Sequence, residues 1–274
     1  VTKVTSHFVV SDVHGHADDL LAAARAVGLV DDAGDWNGHD ELWVLGDYFD
    51  RGPDGVGVVE WLMRWQEQAD SAGGRVEALL GNHEVLALGM RWFGAKEEPG
   101  PHGSGRSFVA SWLLNGGRMD DQARLTARHE DWLVERPMLA RLGSWLLMHS
   151  DTTEYLAWGR TLEEVNAAGH RILHRRRFDD MWDCWRRLTS RGDFRGRRGG
   201  KEVDRMISTL GGTRIVHGHT PIPYMLGIDA SELDPLPVAY AGGRVLAIDG
   251  GRYDGGPLIV APIDAIEEQL EAQA

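Results

Sequence analysis

With 274 residues and 42% hydrophobic side chains, the chain is long enough for one large α/β domain or two small ones, and too apolar to remain disordered. Its net charge of −13 argues against general nucleic-acid binding, which needs a basic footprint. The lone cysteine, Cys184, excludes an internal disulfide and a thiolate metal cluster.

No apolar run reaches the length of a bilayer crossing, and the start VTKVTSHFVVSD has no apolar leader core. The expectation is a cytoplasmic protein with no membrane partner. In chain order, HFVVSD (7–12) reads as a strand and ADDLLAAARAVGLV (17–30) as a helix, with Gly28 as its stop. ELWVLGD (41–47) is the second strand, DGVGVVEWLMRWQEQAD (54–70) the next helix, RVEALLGN (75–82) the third strand, and HEVLALGMRWFG (83–94) another helix. Strands alternating with helices predict a layered α/β domain.

Residues 95–135 are less regular. EEPGPHGSG reads as a loop, followed by FVASWLLNGG and one helix over DDQARLTARHEDWLVER. PMLARLGSWLLMHSD (137–151) predicts a hairpin turning at Gly143. Residues 152–212 read as largely helical, with a flexible loop RGDFRGRRGGK (191–201). TRIVHGHT (213–220) is another strand, GRVLAIDGG (243–251) and GPLIVAPI (256–263) read as a closing hairpin, and DAIEEQLEAQA as an acidic terminal helix or tail. No internal repeat is present. The whole, 1–274, reads as a single domain with insertions at about 95–135 and 152–212.

The polar clusters share one habit: each follows a predicted strand. Asp12 and His14 follow HFVV; Asp47, Asp50 and Arg51 follow LWVL; Asn82, His83 and Glu84 follow VEALL; His149 and Asp151 follow WLLM; His217 and His219 follow TRIV. In α/β sheets, ligands bind at the carboxyl ends of strands. Five such ends on one rim would pool nitrogen and oxygen ligands suited to Mn, Fe, Zn or Mg. So many side chains favour two divalent ions, which can share a carboxylate and stabilise both oxygens of a phosphoryl displacement. Arg51 could grip phosphate through its planar fork. His83 is placed to protonate a leaving oxygen, and Asp50 to orient it.

Together DVHG, GDYFDRG, GNHE, MHSD and HGHTP resemble the five-part signature of the calcineurin-like metallophosphoesterases. The match is closest to the phosphoprotein phosphatase branch with its bacterial serine/threonine phosphatases. WLLNGG (112–117) also resembles a segment of those phosphatases and of relatives that cleave symmetrical diadenosine polyphosphates. The motifs span residues 12 to 220 in the family's order, and five in order are far more specific than any one alone.

The resemblance implies a central β-sandwich flanked by helices, with a dinuclear metal site at the C-terminal ends of the strands. It implies Asp12 and His14 as ligands of the first metal, Asp47 as the bridging carboxylate, and Asn82, His149 and His219 as ligands of the second. His83 corresponds to the family's proposed general acid, Asp50 to its partner, and Arg51 to a phosphate-binding arginine. The expected metals are two divalent ions, Mn2+ first, with Fe or Zn as alternatives. The expected reaction is phosphomonoester hydrolysis by a metal-bridging hydroxide, with no phosphoenzyme, on a phosphorylated protein or a small phosphoester. A serine/threonine protein phosphatase leads, a diadenosine polyphosphate hydrolase is the alternative, and a non-catalytic scaffold stands third.

Two departures stand out. GHTP (218–221) carries Pro221 where many relatives have a second histidine, so His219 is expected as the ligand and the upstream His217 as a supporting or core histidine. MHSD replaces the HGG or HAG of eukaryotic members, so Ser150 and Asp151 bear on substrate preference rather than on metal binding.

Plainer readings accompany these. Asp12 alone could cap the helix near Ala17, Asp50–Arg51 could be a surface ion pair, and Asn82 could cap its helix. From Arg171 to Arg205 there are twelve Lys/Arg and six Asp/Glu. That segment reads as a solvated helical face and loop, or else as a rim attracting anionic substrates. Most of the eleven tryptophans read as packing, Cys184 as an inert packed thiol, and His102 as a surface residue.

Overall fold

The computed structural model describes residues 5–100 and 105–272. Strands β1 (His7–Val10), β2 (Glu41–Val44) and β3 (Arg75–Ala78) lie side by side in parallel. Between them run helices α1 (Ala17–Ala26) and α2 (Gly55–Ala72), and α3 (Asn82–Phe93) follows β3. Helix α2 starts where Asp54 accepts the Gly57 N–H at 2.8 Å, and it ends at left-handed Gly73.

The chain then makes a small antiparallel pair, β4 (Glu97–Pro99) with β5 (Gly105–Ser107). Helices α4 (Phe108–Leu114), α5 (Met119–Arg124) and α6 (Ala127–Val134) follow. Next comes the hairpin β6 (Leu139–Leu142) and β7 (Trp145–Met148), turning at Gly143 as its sequence predicts. Helices α7 (Leu162–Arg175), α8 (Phe178–Thr189) and α9 (Gly196–Leu210) lead to β8 (Arg214–His217). The last stretch holds α10 (Ile222–Leu226), β9 (Val238–Tyr240), β10 (Val245–Ala247), β11 (Ala261–Pro262) and α11 (Ile263–Ala272).

The strands form two main sheets, β11-β1-β2-β3 and β6-β7-β8-β10-β9. Alternation along each strand explains how they pack. Val9, Trp43 and Leu79 of the first sheet meet Leu142, Trp145, Leu147, Val216 and Leu246 of the second in one buried cluster. Their neighbours Val10, Val44, Ala78, Leu146 and Ile215 face the other way, into the apolar layer shared with the helices. The result is a β-sandwich flanked by helices, the architecture the sequence resemblance implies.

Three local expectations are corrected. The runs 243–251 and 256–263 do not pair with each other: β10 lies parallel to β8, and β11 lies antiparallel to β1 in the opposite sheet. The Gly-rich link between them crosses from sheet to sheet, and the partner of β10 at its outer side is β9, which follows Pro237. The single helix expected after WLLNGG is two. Thr126 turns extended and caps α6, with the His129 ring returning a 3.2 Å bond to its N–H. The expected loop at 191–201 ends at Gly196, where α9 begins. His102 lies outside the described residues.

Candidate metal centre

The carboxyl ends of β1, β2, β3, β7 and β8 meet along one rim. The Gly218 N–H donates to the His149 carbonyl at 2.9 Å, and the His219 N–H to Asp12 Oδ2 at 2.8 Å, so the second sheet is tied to the first at this point. Asp12, His14, Asp47, Asp50, Asn82, His83, His149 and His219 are all buried here.

The loops that carry them are unusually bent. Asp12, His14, Asp47, Asp50, Arg51 and His219 adopt positive φ, between 45° and 69°. Such backbone is disfavoured for side-chain-bearing residues, costs on the order of 1–3 kcal/mol each, and gathers at functional sites. Gly46, at φ 99°, lets two loops touch: a Cβ there would lie 2.6 Å from the Gly81 nitrogen.

Asp47 divides the site. Its Oδ1 lies 3.3 Å from His149 Nε2, whereas its Oδ2 lies 3.7 Å from His14 Nε2. Around the first oxygen, His149 Nε2 is 2.9 Å from Asn82 Oδ1 and 3.1 Å from His219 Nδ1. Around the second, His14 Nε2 is 4.0 Å from Asp12 Oδ1. Two groups could therefore hold cations: Asp12, Asp47, His149 and His219, joined by Asn82, and His14, Asp47 and His83.

Hydrogen bonds behind the rings set which nitrogen faces inward. His149 Nδ1 donates to the Leu45 carbonyl at 2.8 Å, His14 Nδ1 to the Phe49 carbonyl at 2.9 Å, and His219 Nε2 to the Thr189 carbonyl at 3.1 Å. The opposite nitrogens point at one another and at carboxylates, those of His14 and His219 as acceptors, while His149 Nε2 faces Asp47 and can carry a proton that a cation would displace.

The electrostatics agree. Burial opposes ionisation of Asp47, but the adjacent His149 and His83 outweigh it and hold the carboxyl well below the carboxylate range. Burial also opposes charge on His149, yet Asp47 prevails and the ring is pushed up to about 9. Burial, reinforced by neighbouring histidines, keeps His14 and His219 well below the usual imidazole value. Asp12 is pushed up by burial against the pull of His149.

His83 faces the rim at a different angle. Its Nδ1 makes a 2.7 Å bond with Asp50 Oδ2, and its Nε2 is 3.9 Å from Asp47 Oδ2. Burial opposes its charge, but Asp47 and Asp50 outweigh it and raise the ring above the usual imidazole value. The other Asp50 oxygen accepts the Trp112 indole N–H at 2.7 Å. The Arg51 guanidinium stacks 3.8 Å from the centre of the Tyr253 ring, and the Arg51 backbone N–H donates to the Gly116 carbonyl at 2.8 Å. WLLNGG therefore buttresses Asp50 and Arg51 directly, a part that reading its tryptophan as packing missed.

Other residues at the rim escaped the sequence reading. Glu84 was seen but given no part. Its carboxylate accepts the N–H groups of Asp47, Tyr48 and Gly81 at 2.7–2.9 Å, locking the β2 and β3 loops together. Burial and the nearby Asp47 push it up to about 7. Asp249, beyond β10, is buried and raised well above the carboxylate range by burial and by Asp12. Its only sequence signal was a carboxylate at one more strand end. His217 makes a 2.7 Å bond to the Tyr240 hydroxyl and a 2.8 Å bond to the Gly218 carbonyl, so neither nitrogen faces the cluster.

Asp50 and Arg51 form no ion pair with each other among the described contacts. Asp151 accepts from Thr220 at 2.5 Å and faces Arg195 Nε at 3.9 Å. In the basic segment, Arg186 and Arg187 pair with Asp183, Arg187 also with Glu154, and Arg205 with Glu202, as expected of a solvated helical face.

The family model for calcineurin-like phosphoesterases matches residues 8–232. The chain belongs to that family. The members are hydrolases of phosphoester bonds, and the enzyme class of this phosphoesterase follows. Among curated relatives, Shewanella-like protein phosphatase 2 of Arabidopsis thaliana is 31% identical over 29% of this chain and 20% of its own. A symmetrical bis(5'-nucleosyl)-tetraphosphatase of Neisseria gonorrhoeae is 26% identical over 53% of this chain and 43% of its own, so the chain spans less than half of either relative. Among solved structures, the cold-active protein-tyrosine phosphatase of a psychrophile Shewanella species superposes with a TM-score of 0.68. That match covers 94% of this chain and 75% of that one at 23% identity, a likeness of fold. No helix of the described residues is long and apolar enough to cross a membrane.

Proposed function

We propose that the phosphoesterase, read as one unit over 1–274, is a dinuclear-metal phosphomonoesterase acting on phosphorylated protein, with phosphoserine and phosphothreonine as the leading substrates. The observation that carries the reading is Asp47, which turns one carboxylate oxygen toward His149 and the other toward His14. In this reading Asp12, which lies beside both groups, joins His14 and Asp47 on one ion, Asp47, Asn82, His149 and His219 hold the other, and His83 stays off the metal as the proton donor. Manganese is the first choice for both, with iron and zinc as alternatives that the same imidazole and oxygen donors also suit.

Two divalent cations bound there supply Lewis acidity and an activated water. The chain's own residues do the rest. Arg51, its main chain fixed by the Gly116 carbonyl and its guanidinium stacked on Tyr253, presents its fork to the phosphate oxygens. His83 carries a proton at Nε2 and delivers it to the departing oxygen, and Asp50 keeps the ring in that protonation state through Nδ1. Trp112 fixes Asp50 in turn. No side chain needs to become a phosphorylated intermediate.

A second reading, hydrolysis of diadenosine polyphosphates, is favoured by the alignment with the Neisseria tetraphosphatase across 53% of the chain. A scaffold without catalysis fits poorly, since it has no use for so complete a set of buried ligands.

The test is turnover of phosphothreonine and phosphotyrosine peptides against diadenosine tetraphosphate, each with Mn2+ and with chelator. Phosphothreonine turnover abolished by chelator is expected. Dinucleotide turnover alone would replace the reading with a nucleotide hydrolase. Phosphotyrosine turnover alone would move the substrate class, and none at all would bring the scaffold forward.

A further inference from the structure

A second group of metal-ligand side chains lies on the outer surface, on elements that carry none of the rim residues. His170 and His174 sit four residues apart on α7, so they share one face of the helix. Glu135 caps the end of α6 and reaches both. Its Oε2 is 3.4 Å from His170 Nε2, and its Oε1 is 3.0 Å from His174 Nε2. All three ligand atoms lie within 4.8 Å of one another. We propose that Glu135, His170 and His174 form a further transition-metal site that ties α6 to α7.

The plain alternative is a hydrogen-bonded trio in which each ring donates its Nε2–H to its own oxygen of Glu135. The same three side chains also suit a cation: the imidazoles lie 3.9 Å apart between centroids, tilted by 37°, with both Nε2 atoms turned to one carboxylate, and a divalent ion binds both rings in the neutral form.

Ligands about 2.0–2.1 Å from a tetrahedral ion are separated by about 3.4 Å; the His170–Glu135 distance matches this, and the three ligand atoms lie within 4.8 Å of one another, so small side-chain rotations close the set on an ion. Two imidazoles and one carboxylate select Zn2+, Ni2+ or Cu2+ over Mg2+ or Ca2+ and leave a coordination position for water. The surroundings help as well. Glu135 closes α6 and His174 lies in the last turn of α7, so two helix C-termini turn their negative ends to the same place. Arg171 and Arg175, also on α7, line a separate groove with Trp158 and Asp180. The three side chains are 45–52% exposed, open to an ion from solvent.

The site is tested by counting ions rather than by activity, so it does not depend on the reading of the rim. The full chain, stripped with chelator, is loaded with Zn2+ alone, desalted and analysed for zinc. The His170→Ala/His174→Ala double variant is expected to retain one zinc fewer per chain than the parent. Cu2+ added to the stripped parent is expected to give, beside the rim signal, an additional electron paramagnetic resonance component with nitrogen splitting from two imidazoles, which the variant lacks. Equal zinc in the two proteins, or no change in the copper spectrum, overturns the site. If the double variant does not fold, Glu135→Gln serves instead. It keeps both histidines and should weaken the added zinc at least tenfold, and unchanged affinity overturns the proposal equally.

Discussion

Asp50 is buried against two donors, His83 Nδ1 and the Trp112 indole, both at 2.7 Å, so the position of His83 is set two residues deep. If the ring transfers a proton without holding a metal, His83→Asn should cut turnover by about 10²–10⁴-fold while metal content stays intact. Loss of metal by elemental analysis would show that it is a ligand after all. Trp112→Phe keeps the ring bulk and removes only the donor. It should lower kcat about tenfold, since a bond to a charged group is worth more than one between neutral partners. An unchanged kcat would reduce Trp112 to packing. Asp47→Asn should deplete both ions at once, because each of its oxygens serves a different side of the cluster. A variant that keeps two metals at full occupancy would rule out a shared ligand.

At the scale of elements, the short connections after β1, β2 and β3 decide whether the site exists. Gly46 sits where the β2 loop crosses the start of α3, at φ 99° with the Gly81 backbone and the His149 ring against it. Gly46→Ala must pay for both the left-handed backbone and the contact with Gly81. A loss of about 2–4 kcal/mol is expected by urea denaturation. A loss under about 0.5 kcal/mol would show that the two loops can part freely. These loops were also the legible part of the sequence. Each strand–turn–helix carried its apolar run, its punctuating glycine and its polar motif within a dozen residues, so Asp12, Asp47 and Asn82 could be placed on the rim before any coordinates. What was not legible depends on distant pairing. The segments 243–251 and 256–263 look like a hairpin locally, and only their partners β8 and β1 send them to different sheets. Trp112 and Glu84 were visible as letters, but the bonds that give them a part bridge loops far apart in the chain. The break at Thr126 was hidden because α5 and α6 each continue a helical pattern across it.

Taken as a whole, the molecule stores its polar charge in one buried rim, which couples stability to pH and to metal. Without ions, the folded chain keeps protons there that the unfolded chain releases. His149 is raised from its ordinary 6.5 to about 9, so its contribution is fully present below pH 6.5 and is lost as pH rises through about 9. Glu84, raised from 4.5 to about 7, acts in the same direction at lower pH. Asp47 acts in the opposite sense, but its pKa is depressed, so its contribution is lost only as pH falls into the acid range. Between pH 6.5 and 9 the chelator-treated protein should therefore lose stability, by several °C in Tm for a chain of this size. Bound cations take over the part of those protons, so the loaded protein should lack this slope, and loading should release protons to the buffer. The gap in Tm between loaded and stripped protein should thus widen toward pH 9, measurable by paired thermal scans in one buffer series. A stripped protein whose Tm is flat or rises across that window would mean that His149 is not held protonated by Asp47. In that case the two histidine-lined sides of the rim would not be linked through a shared charge.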